Sequence, residues 1–156
     1  MYNFSRKCRA ASYFAGALML VSAGVASAAN LKIAQIKNVS GDTVIVRDGA
    51  RVPAKSGDIL FEKDTVETGA DGSIGLTFTD NTVLSAGPNS EIALEEYRFD
   101  SNNFNGAMLT DIRKGTLSMV SGDIARSSPG AMKVKTPTAI LGVRGTRFAV
   151  SVEGQH

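Results

Sequence analysis

The sequence has few of the side chains on which most enzymes and metal sites depend. Among its 156 residues there is no Trp, a single Cys (Cys8) and a single His (His156, the last residue). An intramolecular disulfide is therefore excluded, and so is a metal centre built from several Cys and His ligands. Ser and Lys are plentiful, but no local signature places one beside the other as an activated nucleophile. We expect neither a cofactor nor a metal, and we do not expect an enzyme.

The N-terminal segment has the pattern of a secretory leader. Arg6, Lys7 and Arg9 form a basic front, an apolar run extends from residue 10 to about 25, and Ala26-Ser27-Ala28 offers a small-x-small cleavage site. The alternative is an uncleaved anchor, since the apolar run approaches the ~20 residues that span a bilayer. The mild hydrophobicity of a run rich in Ala, Gly and Ser favours cleavage.

Cleavage after Ala28 would change both the charge and the expected partners. The precursor carries 17 basic and 15 acidic residues, and the leader removes three basic residues together with Cys8. The 14 basic and 15 acidic residues that remain give a net charge of −1 and are mixed along the chain. A nucleic-acid partner is not expected, because it would require a clustered cationic face. We predict a signal peptide at 1–28 and a single domain at 29–156, exported to the periplasm, with no membrane span after cleavage.

Alternation of apolar and polar residues predicts β-strands along the mature chain. Ile74, Leu76 and Phe78 share one face of a strand, and Phe148 and its neighbours at alternate positions repeat the pattern. Turn residues separate such runs every eight to twelve residues or so, as is typical of all-β domains. The predicted fold is all-β, a compact solenoid-like or sandwich-like stack of short antiparallel strands. The pattern leaves the choice between these two open.

Residues 97–106 interrupt the strands with a polar segment that contains three aromatics: Tyr97, Phe99 and Phe104. We predict a protruding loop and take these aromatics as candidate contacts for a partner. Aromatic rings beside Asn and Asp are the chemistry of a sugar-binding site. The alternative is a loop that packs on its own Phe side chains.

A second dense segment, TPTAILGVRGTRFAV, lies near the C-terminus. Pro137 belongs at the mouth of a strand or on an edge, because it has no N–H to donate. Gly142 and Gly145 predict a bend or bulge where a side chain would collide with its surroundings, and the hydroxyl of Thr146 is expected to cap that bend.

Two arginines in this segment, Arg144 and Arg147, are the best candidates for a partner contact. A guanidinium pair can receive a carboxylate from a protein partner or from a peptidoglycan fragment. The alternative for Arg144 is structural, with its guanidinium bracing loop carbonyls or a turn carboxylate such as Asp80 or Asp123.

The order and spacing of two blocks resemble the FecR domain, an all-β module of bacterial signalling proteins. The first block is represented here by Gly57, Asp58, Asp64, Thr65, Gly69, Gly72, Asp80, Gly87, Pro88, Asn89 and Ser90. The second is represented by Thr136, Pro137, Gly142, Gly145 and Thr146. The resemblance covers about two-thirds of the mature chain, and it implies structural roles for these residues.

The resemblance implies a periplasmic protein-interaction or signal-sensing module without catalytic activity. The family's well-known regulators join a cytoplasmic anti-sigma domain and one membrane span to this module, which receives a signal from an outer-membrane transporter. Only about nine residues precede the apolar run here, so we expect a stand-alone protein lacking both parts. The expected partner is an unidentified envelope protein. FecR domains usually continue for another hairpin or two, so this domain is expected to be short at its C-terminus.

Two other functions remain open. The first is a periplasmic protein that binds a glycan or another small ligand through the loop at 97–106. The second is a hydrolase, for which the sequence supplies no recognisable nucleophile.

Overall fold

Strands make up most of the chain that the computed structural model describes, residues 31–145 and 147–154. The first six strands are β1 (Lys32–Ser40), β2 (Thr43–Arg47), β3 (Ala50–Pro53), β4 (Ile59–Phe61), β5 (Thr65–Thr68) and β6 (Ser73–Phe78). They are followed by β7 (Val83–Ala86), β8 (Glu91–Phe99), β9 (Gly106–Val120), helix α1 (Asp123–Ser127), β10 (Met132–Lys135), β11 (Ile140–Val143) and β12 (Arg147–Val152).

The longest strand, β9, holds the curled sheet together because both of its halves are paired on both sides. Its first half lies between β8 and β10, and its second half lies between β7 and β12. One arm of the sheet therefore runs β9-β8-β5-β2-β3, and the other runs β9-β7-β6-β1-β4. On the opposite side of β9, the β10–β11 hairpin pairs with the first half of β9 and β12 pairs with the second half. In the described part of the chain, the hairpin and β12 do not pair with each other.

Gly115 lies at the point where β9 passes from one arm to the other. Its φ is +88°, a left-handed conformation that L side chains rarely adopt. A Cβ at this position would lie 2.2 Å from the Ser90 Oγ, which itself accepts a hydrogen bond from the Thr116 N–H at 3.0 Å. Glycine is therefore required here by both conformation and space.

Side chains from both arms form one hydrophobic core. Ile74, Leu76 and Phe78 of β6 are buried, as the alternation in the sequence predicts. They meet residues of the other arm, such as Ile92 and Leu94 of β8, in a single cluster. Burying each of these large side chains contributes about 1.5–3 kcal/mol, so the core is the main source of stability.

The structure confirms the all-β fold and a predominantly antiparallel sheet, with two differences from the predicted stack of short strands. The strand β9 has 15 residues, and β10 pairs with it in parallel. Helix α1 has five residues, and among the described residues no helix has the length and hydrophobicity needed to cross a bilayer. The predicted signal peptide, Thr146 and His156 lie outside the described residues.

Candidate functional site

A cleft lies between β11 and β12 and is here called the C-terminal cleft. The cleft forms because strand β10 of the β10–β11 hairpin pairs with the first half of β9, whereas β12 pairs with the second half. Two cavities of about 260 and 320 Å³ occupy it. The first is lined by Leu141, Gly142, Val143, Arg144, Phe148, Ala149 and Val150. The second is lined by Thr136, Pro137, Thr138, Val150, Ser151, Val152 and Glu153.

The strands that border this cleft expose apolar side chains. Ile140 is 64% exposed and Leu141 is 40% exposed. Phe148 and Val150 are half-buried and pack against the core from β12. Among the described residues, β11 pairs only with β10, and β12 pairs only with β9. Each strand therefore presents one edge with no strand partner.

Arg144 and Arg147 lie at one end of the C-terminal cleft, and both are exposed. Neither guanidinium group makes a hydrogen bond or an ion pair with another described residue. The structural alternative for Arg144, bracing by Asp80 or Asp123, is therefore wrong. The arginine pair stays a predicted contact for a carboxylate.

Asp80 is unavailable to an arginine because its carboxylate is fully buried and already bonded. It accepts hydrogen bonds from the Thr82 hydroxyl at 2.7 Å and from the Tyr97 hydroxyl at 3.2 Å, and it also accepts the N–H of Ile124 at 3.4 Å. These bonds join the β6–β7 turn to β8 and to the start of α1. In this structure the carboxylate of Asp80 therefore connects three segments of the chain.

The surroundings of Gly142 and Gly145 in the second block differ from those that the sequence predicts. A Cβ at Gly142 would meet no atom within 4 Å, so no side chain would collide there, and the prediction for Gly142 is wrong. Gly145 has a φ of +55°, which favours glycine, but the space around it is also open. Thr136 and Pro137 begin the turn between β10 and β11, where the Thr136 Oγ1 accepts the Ala139 N–H at 3.0 Å.

Residues of the first block build turns and close backbone contacts. Gly57 has a φ of +95° and donates its N–H to the Ile36 carbonyl at 2.8 Å, and the carboxylate of Asp58 accepts the Lys55 N–H at 2.9 Å. A Cβ on Gly72 would lie 2.2 Å from the carbonyl oxygen of Asp42.

The corner formed by Gly87, Pro88, Asn89 and Ser90 is tied to β5. The Thr68 hydroxyl donates to the Gly87 carbonyl at 2.7 Å and accepts the Ser90 N–H at 2.8 Å. Next to this corner, the Gly69 N–H donates to the Asp42 carbonyl at 2.7 Å. Thr65 lies in β5, opposite Ala93 of β8.

Asp64 belongs to an ion pair that the sequence did not reveal. The guanidinium of Arg47 binds both of its carboxylate oxygens, at 2.8 and 2.7 Å, and also donates to the Ile59 carbonyl at 3.0 Å. The Asp64 side chain is 2% exposed, and the Arg47 guanidinium lies 4.5 Å over the Phe61 ring. The hydrogen bond to Asp64 raises the pKa of Arg47. This pair links the end of β2 to β4, where the two arms meet.

The three aromatics of residues 97–106 do not form the predicted protruding site. Tyr97 is 8% exposed and stacks on Phe78 at 5.4 Å between ring centroids, so its assignment as a partner contact is wrong. Tyr97 and Phe99 belong to β8, and the loop contains only residues 100–105. Phe104 is 51% exposed, and its ring lies 6.4 Å from that of Phe99. The alternative of a loop packing on its own Phe side chains describes this contact.

Other chemistry gains no support from the described residues. No group of three or more His, Cys, Asp or Glu side chains among them could hold a metal ion.

The model of the family described as FecR protein matches residues 64–156, which is more than half of the chain and includes both the first-block corner and the C-terminal cleft. No curated protein and no solved structure matches this chain.

We predict that Asp64→Asn destabilises the protein by about 1–3 kcal/mol, because it leaves a partly buried guanidinium without its charged partner. Urea unfolding of the purified domain measures the change. Glu67→Gln is the matched control: its partner Arg51 is 61% exposed, so the loss there is expected to stay below about 1 kcal/mol. Equal losses of unfolding free energy in the two variants would show that the Arg47–Asp64 pair stabilises the protein no more than the exposed Arg51–Glu67 pair does.

We also predict a stability loss above pH 10 that depends on Tyr97, which is the one tyrosine in residues 31–154. Burial raises the pKa of its phenol. The neutral form is therefore favoured in the fold, and its stabilising contribution is complete below the unfolded-state pKa of about 10 and is lost as the pH rises above it.

Unfolding free energies of the wild type and of Tyr97→Phe between pH 8 and pH 11 test this prediction. The wild type is expected to lose more stability than the variant over this range. Lys135, whose pKa is raised by its hydrogen bond to Asp111, contributes equally to both proteins. Parallel curves for the two proteins would contradict the prediction.

Proposed function

Because the chain belongs to the FecR family, we propose that it is a periplasmic protein-interaction or signal-sensing module without catalytic activity. Membership in this family indicates a signalling or regulatory module that faces the periplasm and interacts with other envelope proteins. The finer part of the proposal concerns the place of contact. An envelope protein docks on the outer edge of β11, at the C-terminal cleft.

The observation that supports this site most strongly is the contrast between β11 and the edge strands at the far ends of the two arms, β3 and β4. Unpaired edges attract other strands, and proteins usually protect them with charges, Pro or covering groups. The edge strand β3 carries Arg51 and Pro53, and the carbonyl of Ile59 on edge strand β4 is occupied by the Arg47 guanidinium. The strand β11 has no charge, no Pro and no such cover, and it exposes Ile140 and Leu141.

Strand addition is the mode of binding that suits such an edge. An extended segment of the partner would pair with the main chain of β11, and its apolar side chains would contact Ile140 and Leu141. Arg144 follows β11 directly and has no acceptor among the described residues. A carboxylate at the corresponding end of the partner segment would supply one, and this would fix the direction of binding.

Export is part of the same proposal. Residues 1–28 act as a signal peptide, and 29–156 form the mature domain. The support comes from the order of basic, apolar and small residues in that segment. The alternative function, binding of a glycan or another small ligand, has less support, because Tyr97 is buried and the Phe104 ring lies against Phe99.

Site-specific photocrosslinking in the full-length chain, expressed in a bacterium with a periplasm, tests the docking surface. A photoreactive residue at position 141 is expected to capture one dominant envelope protein, because this position lies on the unprotected edge. The matched control is position 52, since Val52 is 50% exposed on the protected edge strand β3. Arg144→Glu is expected to reduce the adduct from position 141. Identical adducts from both positions, or none from position 141, would overturn the proposal.

A further inference from the structure

The strand β12 has an unpaired edge whose sequence is complementary to itself. Its six residues pair with β9, from Arg147 opposite Val120 to Val152 opposite Gly115. In an antiparallel ladder, alternate residues direct their N–H and C=O groups away from the neighbouring strand. On the side away from β9, no described strand receives those groups from β12.

The sequence on the two sides of Val150 is similar in size and polarity and opposite in charge. Three positions before it is Arg147, and three positions after it is Glu153. Between these charges, Phe148 corresponds to Val152, both large and apolar, and the two remaining positions are Ala149 and Ser151, both small. When two copies of this segment pair antiparallel with Val150 opposite Val150, each charged residue therefore lies opposite a residue of opposite charge. Each remaining residue lies opposite one of similar size and polarity.

The two faces of β12 agree with the same register. Arg147, Ala149, Ser151 and Glu153 are exposed, whereas Phe148, Val150 and Val152 are half-buried and pack against the core. Residues directly opposite each other in an antiparallel pair lie on the same face of the sheet. With Val150 opposite itself, apolar residues meet apolar residues on the inner face, and Arg147 meets Glu153 on the outer face.

We propose that the domain forms a two-fold symmetric dimer in which β12 pairs with β12 of a second copy of this chain, with Val150 at the symmetry axis. The dimer contains two pairs of Arg147 with Glu153 of the other copy, one at each end of the paired segment. Shifting the axis to Ala149 would place Arg147 opposite Ser151 and remove both charge pairs. The charges therefore select the register, as self-complementary interfaces require.

This inference goes beyond the proposed function, because the envelope partner is placed on β11 and the second copy on β12. Strand β11 carries no charge, so no charge pairs like those of Arg147 with Glu153 would select a register there. Arg144 lies outside the six residues paired with β9, so it provides a control for general charge effects.

Sedimentation equilibrium of the purified mature domain over a range of concentrations tests the dimer. The wild type is expected to dimerise. Arg147→Glu and Glu153→Arg are each expected to weaken the dimer about tenfold or more in Kd, because each places like charges opposite each other twice per dimer. The double variant R147E/E153R restores opposite charges and is expected to recover the wild-type Kd. Arg144→Glu is expected to leave it unchanged.

Disulfide trapping tests the register directly. With Cys8 replaced by Ser, Val150→Cys is expected to give a crosslinked dimer on mild oxidation, because position 150 faces its own copy across the axis. Ser151→Cys, whose counterpart in the second copy is Ala149, is the control and is expected to crosslink much less.

Several results would overturn the dimer. These are a wild-type monomer at every concentration, a double variant as weak as the single variants, or equal trapping at positions 150 and 151. The crosslink from position 141, measured in the Glu153→Arg variant, separates this proposal from the proposed function. If that crosslink persists while the dimer is lost, the two surfaces act independently. If position 141 gives no crosslink in the chain with unaltered Glu153 while the wild type dimerises, the envelope partner is refuted and the dimer is not.

Discussion

The shared use of β9 by two arms of the sheet is the constraint on which the rest of the structure depends. A single strand of 15 residues pairs on both sides along both of its halves, and the halves diverge at Gly115. The buried Ser90 hydroxyl lies against that glycine and accepts a hydrogen bond from the adjacent Thr116 N–H. The arms can enclose one core because β9 serves both of them.

The same arrangement explains why the two sides of the molecule differ. On one side of β9, four strands extend each arm, and the Arg47–Asp64 pair joins the arms at their far ends. On the other side, the β10–β11 hairpin and β12 separate without such a link among the described residues, which leaves the C-terminal cleft and two edges with no described strand partner. Surfaces available for main-chain pairing are therefore concentrated on one side of the protein. This asymmetry is the physical basis for proposing a binding role for this side of the protein.

Local pattern predicted the strands well because burial on one face imposes a period of two, as in Ile74, Leu76 and Phe78. It failed where the outcome depends on strands distant in sequence. Nothing near Tyr97 indicates that its hydroxyl meets Asp80 or that its ring stacks on Phe78, and nothing near Arg47 indicates a partner at Asp64. The sequence also could not show that the space at Gly142 is open, because that depends on the pairing of β11 with β10, which places Gly142 on an exposed face beside Lys133.

The free energy of unfolding of Gly115→Ala, compared with that of Gly145→Ala, tests the role of β9 most directly. Both glycines have positive φ, but only at Gly115 would a Cβ collide with the backbone and side chain of Ser90. If β9 depends on this close contact to serve both arms, Gly145→Ala should cost about 1–2 kcal/mol for the left-handed conformation alone. Gly115→Ala should then cost more than about 3 kcal/mol or prevent folding. Similar, small losses in both variants would contradict the account.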